Sequence, residues 1–101
     1  MTMNADLHST GHFATGQAHR YMVQLCKHFG HKIPVEIDGD AGSIRFDIGI
    51  AQLTAARTGL TCRVAAGDAA AVEQVQGIVD RHLARFAFRE DFSRMDWSPA
   101  A

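Results

Sequence analysis

The chain has almost no charge imbalance, no long apolar run and no paired cysteine spacing. Ten basic residues face eleven acidic ones, a formal net charge of −1. Nucleic-acid binders usually carry a basic excess that neutralises phosphates, so this balance argues against a nucleic-acid partner. The apolar runs fall well short of the ~20 residues a membrane helix needs, which argues against a membrane partner. The opening MTMNADLHSTGH has no basic segment followed by an apolar one, so it does not read as a secretory signal. Cys26 and Cys62 form no CxxC or similar pair, and two buried thiols are expected rather than a disulfide. The expected location is the cytoplasm.

What is present suits one α+β domain. At 101 residues and 47% hydrophobic composition, folding should bury between ~60 and ~70% of the unfolded surface. Residues 1–12 are polar and aperiodic and read as a flexible leader. Residues 13–97 read as the domain and 98–101 as a tail, with Phe92 and Trp97 docking the C-terminal segment. Thr15 is the expected N-cap of a first helix reaching about Phe29, whose stripe is Ala18, Met22, Leu25 and Phe29 with Tyr21 beside it. Gly30 fits a left-handed helix stop, and Pro34 forbids continuation.

Beyond Pro34 the period becomes two. Ile33, Val35 and Ile37, then Ile44, Phe46 and Ile48, then Ala51, Leu53 and Ala55, then Leu60, Cys62, Val64 and Ala66 alternate with polar residues between short turns. That pattern predicts four antiparallel strands in a meander with one packed face. Asp68 caps a second helix from about Ala69 to Phe88, with Val72, Val75, Val79, Leu83 and Phe86 on one face. The expected architecture is a two-layer sandwich, helix–four-stranded meander–helix, with both helices on one face of the sheet.

Six histidines are the oddity of this chain, and Cys26-Lys27-His28-Phe29-Gly30-His31 is the densest cluster. Thiolate and imidazole suit zinc or iron. Yet residues two apart on a helix point about 160° from each other, so Cys26 and His28 could hardly share one ion. A metal set of His28, His31 and His82 is left, if the helices bring them together. The alternative is that His28 and His82 flank apolar stripes and bond to backbone or carboxylate. His8 and His12, in the expected leader, could hold copper or nickel only weakly. Cys26 lacks a demonstrable electropositive setting for nucleophilic chemistry. Glu90 and Asp91, adjacent on a helix, point apart and read as a solvated pair. Arg81, Arg85 and Arg89 recur four apart and could hold an anion, although Asp80 and Glu90 make the local field mixed. No phosphate loop, nucleophile elbow or H-E-x-x-H string occurs, and the sequence identifies no cofactor or catalytic set.

The strings Ala14-Thr15, Tyr21, Leu25-Cys26-Lys27-His28 and His31-Lys32 resemble the opening of a bacterial family catalogued as domain of unknown function 2218. His82-Leu83-Ala84-Arg85-Phe86-Ala87-Phe88-Arg89-Glu90 resembles its C-terminal signature, and Leu53-Thr54-Ala55 and Gly59-Leu60-Thr61 fit its middle strands. The resemblance spans roughly residues 13 to 97. Phe29 and Gly30 depart from it, standing where the family often has tryptophan and serine. The family carries no assigned activity. Its domain also occurs joined to flavin-dependent siderophore-interacting reductases, which implies an accessory role near iron uptake with a separate reductase as partner.

Two expectations follow. The first is a non-catalytic binding module with a groove lined by His28, His82 and Arg85. The second is a metal-binding (zinc or iron) protein or enzyme using His28, His31 and His82. Because open sheet edges need covering, a homodimer is a further partner expectation.

Overall fold

A computed structural model describes residues 6–101. The strands are β1 (Leu7–Ala14), β2 (Val35–Asp38), β3 (Ala41–Phe46), β4 (Gly49–Ala56), β5 (Gly59–Ala66) and β6 (Asp96–Trp97). Helix α1 (Ala18–Phe29) follows β1, and α2 (Ala69–Phe86) follows β5, ending in a 3-10 turn over Phe88–Glu90. The strands form one antiparallel sheet of order β2-β3-β4-β5-β1-β6. No helix among the described residues is long and apolar enough to cross a membrane.

The alternation read in β4 and β5 is the inward face of the sheet. Ala51 pairs with Val64, Leu53 with Cys62 and Ala55 with Leu60, and all six are buried. They join Met22, Leu25 and Cys26 of α1 and Val72, Val75, Val79 and Leu83 of α2 in a single core cluster. Each fully buried aliphatic side chain contributes about 1.5–3 kcal/mol. Asp68 caps α2 as expected, its Oδ1 accepting from the Ala71 amide at 2.8 Å.

Six strands replace the expected four, because the supposed leader supplies β1 and the C-terminal segment supplies β6. Residues 7–12 are in the sheet, while residues 1–5 of the expected leader lie outside the described residues. The strand was hidden because its inward positions include Ser9 and Gly11, which break any apolar alternation. Both are explained by the C-terminal segment. A Cβ on Gly11 would lie 2.7 Å from Trp97 Cε3, so the close indole demands glycine there. The buried Ser9 hydroxyl donates to the Ser98 carbonyl and accepts from Gln76 Nε2. The expected tail continues the same edge, with His8 and Ala101 exchanging backbone hydrogen bonds.

Smaller corrections concern helix ends and strand faces. Gln17 rather than Thr15 is the α1 N-cap. Thr15 Oγ1 instead accepts from the Gln17 amide and donates to Glu90. Gly30 is right-handed at φ −63° and its amide bonds to the Cys26 carbonyl, so the helix stops without a left-handed glycine. The left-handed residue near the end of the second helix is Asp91, at φ 56°. Ile37, on the outermost strand, is 43% exposed rather than core-facing, and Ile48 lies in the β3–β4 turn.

The C-terminal segment is secured by a buried charge. Asp80, on α2, is only 9% exposed. Its Oδ1 accepts from the Met95 amide and its Oδ2 from Trp97 Nε1, both at 2.9 Å. Burial raises its pKa above the ordinary value, against the lowering effects of those two donors and of Arg94. The native state therefore holds this proton more tightly than the unfolded chain. Stability from this group is fully present below the ordinary carboxylate value and is lost as pH rises through the raised one. Asp80→Asn leaves one donor facing an amide NH₂, and should cost about 1–3 kcal/mol at neutral pH by denaturant unfolding. The same variant should lose that acid-side pH dependence.

Candidate functional site

The last turns of the two helices bring His28 and His82 together. His28 leaves the end of α1 beside Phe29, and His82 leaves α2 one turn before Phe86. Their ring centroids lie 4.8 Å apart. His82 is also 4.8 Å from Phe29, and His28 packs edge-on to Phe29 and Phe86. Phe29 in turn meets Phe46 of β3 at 5.2 Å, tying the cluster to the sheet. The boundary position of both histidines on their helices is what puts them at this seam.

The two imidazoles differ in their hydrogen bonding. His82 Nδ1 lies 2.7 Å from the Ile78 carbonyl one turn earlier. It must carry the proton there, which leaves Nε2 as the acceptor in the neutral ring. His28 has its pKa lowered, first by loss of water around the ring, then by the charges of His82, Arg85, His31 and Lys32. No carboxylate is among those influences.

Of the expected site residues, His28 and His82 meet, and Arg85 stands three residues after His82 on the same face of α2. His31 lies in the segment after α1, outside the ring contacts that join His28 to His82. Among the described residues no group of three His, Cys, Asp or Glu side chains could hold a metal ion. His8 and His12 lie in β1, where His12 Nδ1 is 3.2 Å from Thr61 Oγ1. A rigid strand separates them by four residues, roughly 13 Å. Cys26 and Cys62 are free and buried. Burial pushes both thiols up, with the Asp80 carboxylate adding to the effect at Cys62, so neither is poised as a nucleophile.

Two acidic residues behave differently from their sequence reading. Glu90 is not a freely solvated carboxylate, because Thr15 and Tyr21 both donate their hydroxyls to its Oε2. That contact raises the Tyr21 pKa, with burial and the Glu90 charge adding to it. Asp80 faces the C-terminal segment, as described above. Nothing local in the sequence marks Glu90, but Asp80 follows Val79 at the margin of the α2 apolar stripe, a helical-wheel signal that could have been read.

The histidine cluster is a surface feature, and the larger hollows lie elsewhere. One of about 450 Å³ is lined by Glu73, Gln76, Gly77, Asp80 and Arg94. Another, of about 380 Å³, runs over β2, β3 and β4 and is lined by Glu36, Asp38, Ser43, Gln52 and Thr54 among others. The first gathers Glu73, Asp80 and Arg94, with Asp80 committed to the C-terminal segment.

Residues 10–98 match the family described as "Uncharacterized protein conserved in bacteria (DUF2218)". The chain belongs to this family. Among solved structures, the NMR structure of PA4090 from Pseudomonas aeruginosa is similar, at 33% identity and a TM-score of 0.79. The match covers 92% of this chain and 96% of that one. No curated protein matches the chain. Within the DUF2218 match fall β1 from Thr10 onward and both helix ends, so the whole histidine seam lies inside the family region.

A depressed histidine pKa has a definite sign. The folded state binds the His28 proton less well than the unfolded chain. The stability this group contributes is present above its ordinary value of 6.5 and is lost as pH falls through the lowered value. Imidazole proton shifts should therefore show His28 titrating below 6.5, and His82→Ala should move that midpoint upward by removing a neighbouring positive charge.

Proposed function

We propose that this DUF2218 protein is a non-catalytic binding module whose site is the surface formed by His28, His82 and Arg85. The observation that carries the reading is the meeting of His28 and His82 at the α1–α2 seam, 4.8 Å between ring centroids, with aromatic walls from Phe29 and Phe86. Apolar faces beside a few converging polar groups are what small-ligand sites generally offer. With Nδ1 turned to the Ile78 carbonyl, His82 leaves Nε2 for a ligand, and Arg85 supplies a guanidinium on the same stretch of α2.

A link to iron or siderophore metabolism rests on the family resemblance, which joins this domain to siderophore-interacting reductases. It supports such a reductase as the partner class. The metal-dependent alternative needs ring nitrogens of His28, His31 and His82 about 2.0–2.1 Å from one ion. No observation at the seam favours it over a ligand site.

The test is amide and imidazole NMR of the full chain against a set of neutral, cationic and anionic small molecules. Saturable shifts should centre on His28, His82 and Arg85. They should disappear in His82→Ala, provided its unfolding transition stays cooperative. Shifts centred instead on Gln76, Gly77 and Arg94, around the 450 Å³ hollow, would place the site elsewhere.

A further inference from the structure

We propose that the helix-end cluster binds an oxyanion, a carboxylate or a phosphate, and takes up a proton as it does so. This deepens the binding-module reading and rests on it.

The argument begins with where the nearby acids point. In sequence, Asp80 and Glu90 bracket Arg81, Arg85 and Arg89, and the row looks neutralised. In the fold both carboxylates are engaged elsewhere. Asp80 receives Met95 and Trp97 from the C-terminal segment, and Glu90 receives Thr15 and Tyr21. Arg89 lies on the 3-10 turn, its guanidinium over the Phe88 ring at 5.4 Å. Arg85 is left at the seam with no ion-pair partner, since the one ion pair among the described residues joins His19 to Asp40.

The groups that act on His28 are all potential cations. From α2 come His82 and Arg85, and from the segment after α1 come His31 and Lys32. The contribution from β3 is apolar, Phe46 behind Phe29. A surface that gathers positive charge without a carboxylate has an electrostatic deficit that an anion fills. The aromatic walls keep water from one side, which strengthens the attraction. A guanidinium suits planar or tetrahedral oxyanions because it can donate two parallel hydrogen bonds.

Proton uptake follows from the same geometry. With the site empty, loss of water around the ring and then the neighbouring charges favour neutral His28. An anion seated against Arg85 reverses the sign of the local field, and the imidazolium becomes the favoured form. The proton comes from solvent, and the ring gains a second N–H to donate. Ligand and proton then help each other by the same factor, as linkage requires.

Histidine imidazole NMR of the full chain tests this with two probes, sodium acetate and sodium sulfate, against sodium chloride at equal ionic strength. Sulfate stands in for a tetrahedral phosphate because its charge is constant across the pH range used. Saturable shifts at His28, a raised His28 titration midpoint, and affinity that weakens by up to about tenfold per pH unit between the free and the ligand-bound midpoints are expected. Arg85→Gln should weaken binding about ten- to hundredfold. Arg81→Gln, one turn earlier on α2, should leave it unchanged. Preference for acetate or sulfate assigns a carboxylate or a phosphate as the natural group.

Chloride reproducing the shifts would reduce the effect to screening and overturn the proposal. So would equal losses in Arg81→Gln and Arg85→Gln. Silence toward both anions, with shifts at His28 from a neutral molecule, would overturn the oxyanion and spare the ligand site. Silence toward every probe would overturn both.

Discussion

The buried carboxylate of Asp80 is the contact on which the arrangement of the C-terminal third depends. A charge held at 9% exposure would be costly alone. Two N–H donors offset that cost, one from the Met95 backbone and one from the Trp97 indole. Satisfying the charge places Met95 in the core and Trp97 over Gly11, and the chain beyond runs back along β1 to Ala101. The edge of β1 is covered as a result, a recurrent need of open sheets. A second tie, from Glu90 to Thr15 and Tyr21, anchors the turn between α2 and that segment.

These ties shape the electrostatics at the other side of α2. Asp80 and Glu90 take hydroxyl and N–H donors as partners, and neither forms an ion pair with Arg85 among the described residues. Asp80 and Glu90 thus serve the fold, while Arg85 stays at the surface. The seam beside Arg85 collects His28, His82, Phe29 and Phe86, a combination of cation, imidazole and aromatic ring that neither helix could assemble by itself.

Much of the framework was legible from local pattern. The α2 stripe of Val72, Val75, Val79 and Leu83 is buried as its spacing predicts, and Asp68 caps the helix. The alternation in β4 and β5 marks their inward faces. Illegible elements depend on distant partners. β1 carries Ser9 and Gly11 inward because Ser98, Gln76 and Trp97 lie against them, and no property of residues 7–14 alone announces those neighbours. Of the expected site residues, His28 and His82 stood out through composition, but their contact spans 54 positions of sequence. Their meeting could only be conditional on helix packing.

What the sequence determined by itself is the set of periodic elements, since helix stripes and strand alternation are recorded within a few residues of each other. It also determined family membership, carried by the strings around His28 and His82. Only the tertiary structure decided that residues 7–14 are a strand, that Asp80 and Glu90 take distant donors as partners, and that His28 meets His82. The physical reason is range. Periodicity is a local property of the backbone, whereas a carboxylate's partner and an imidazole's neighbour are set by which distant surfaces the core brings into contact.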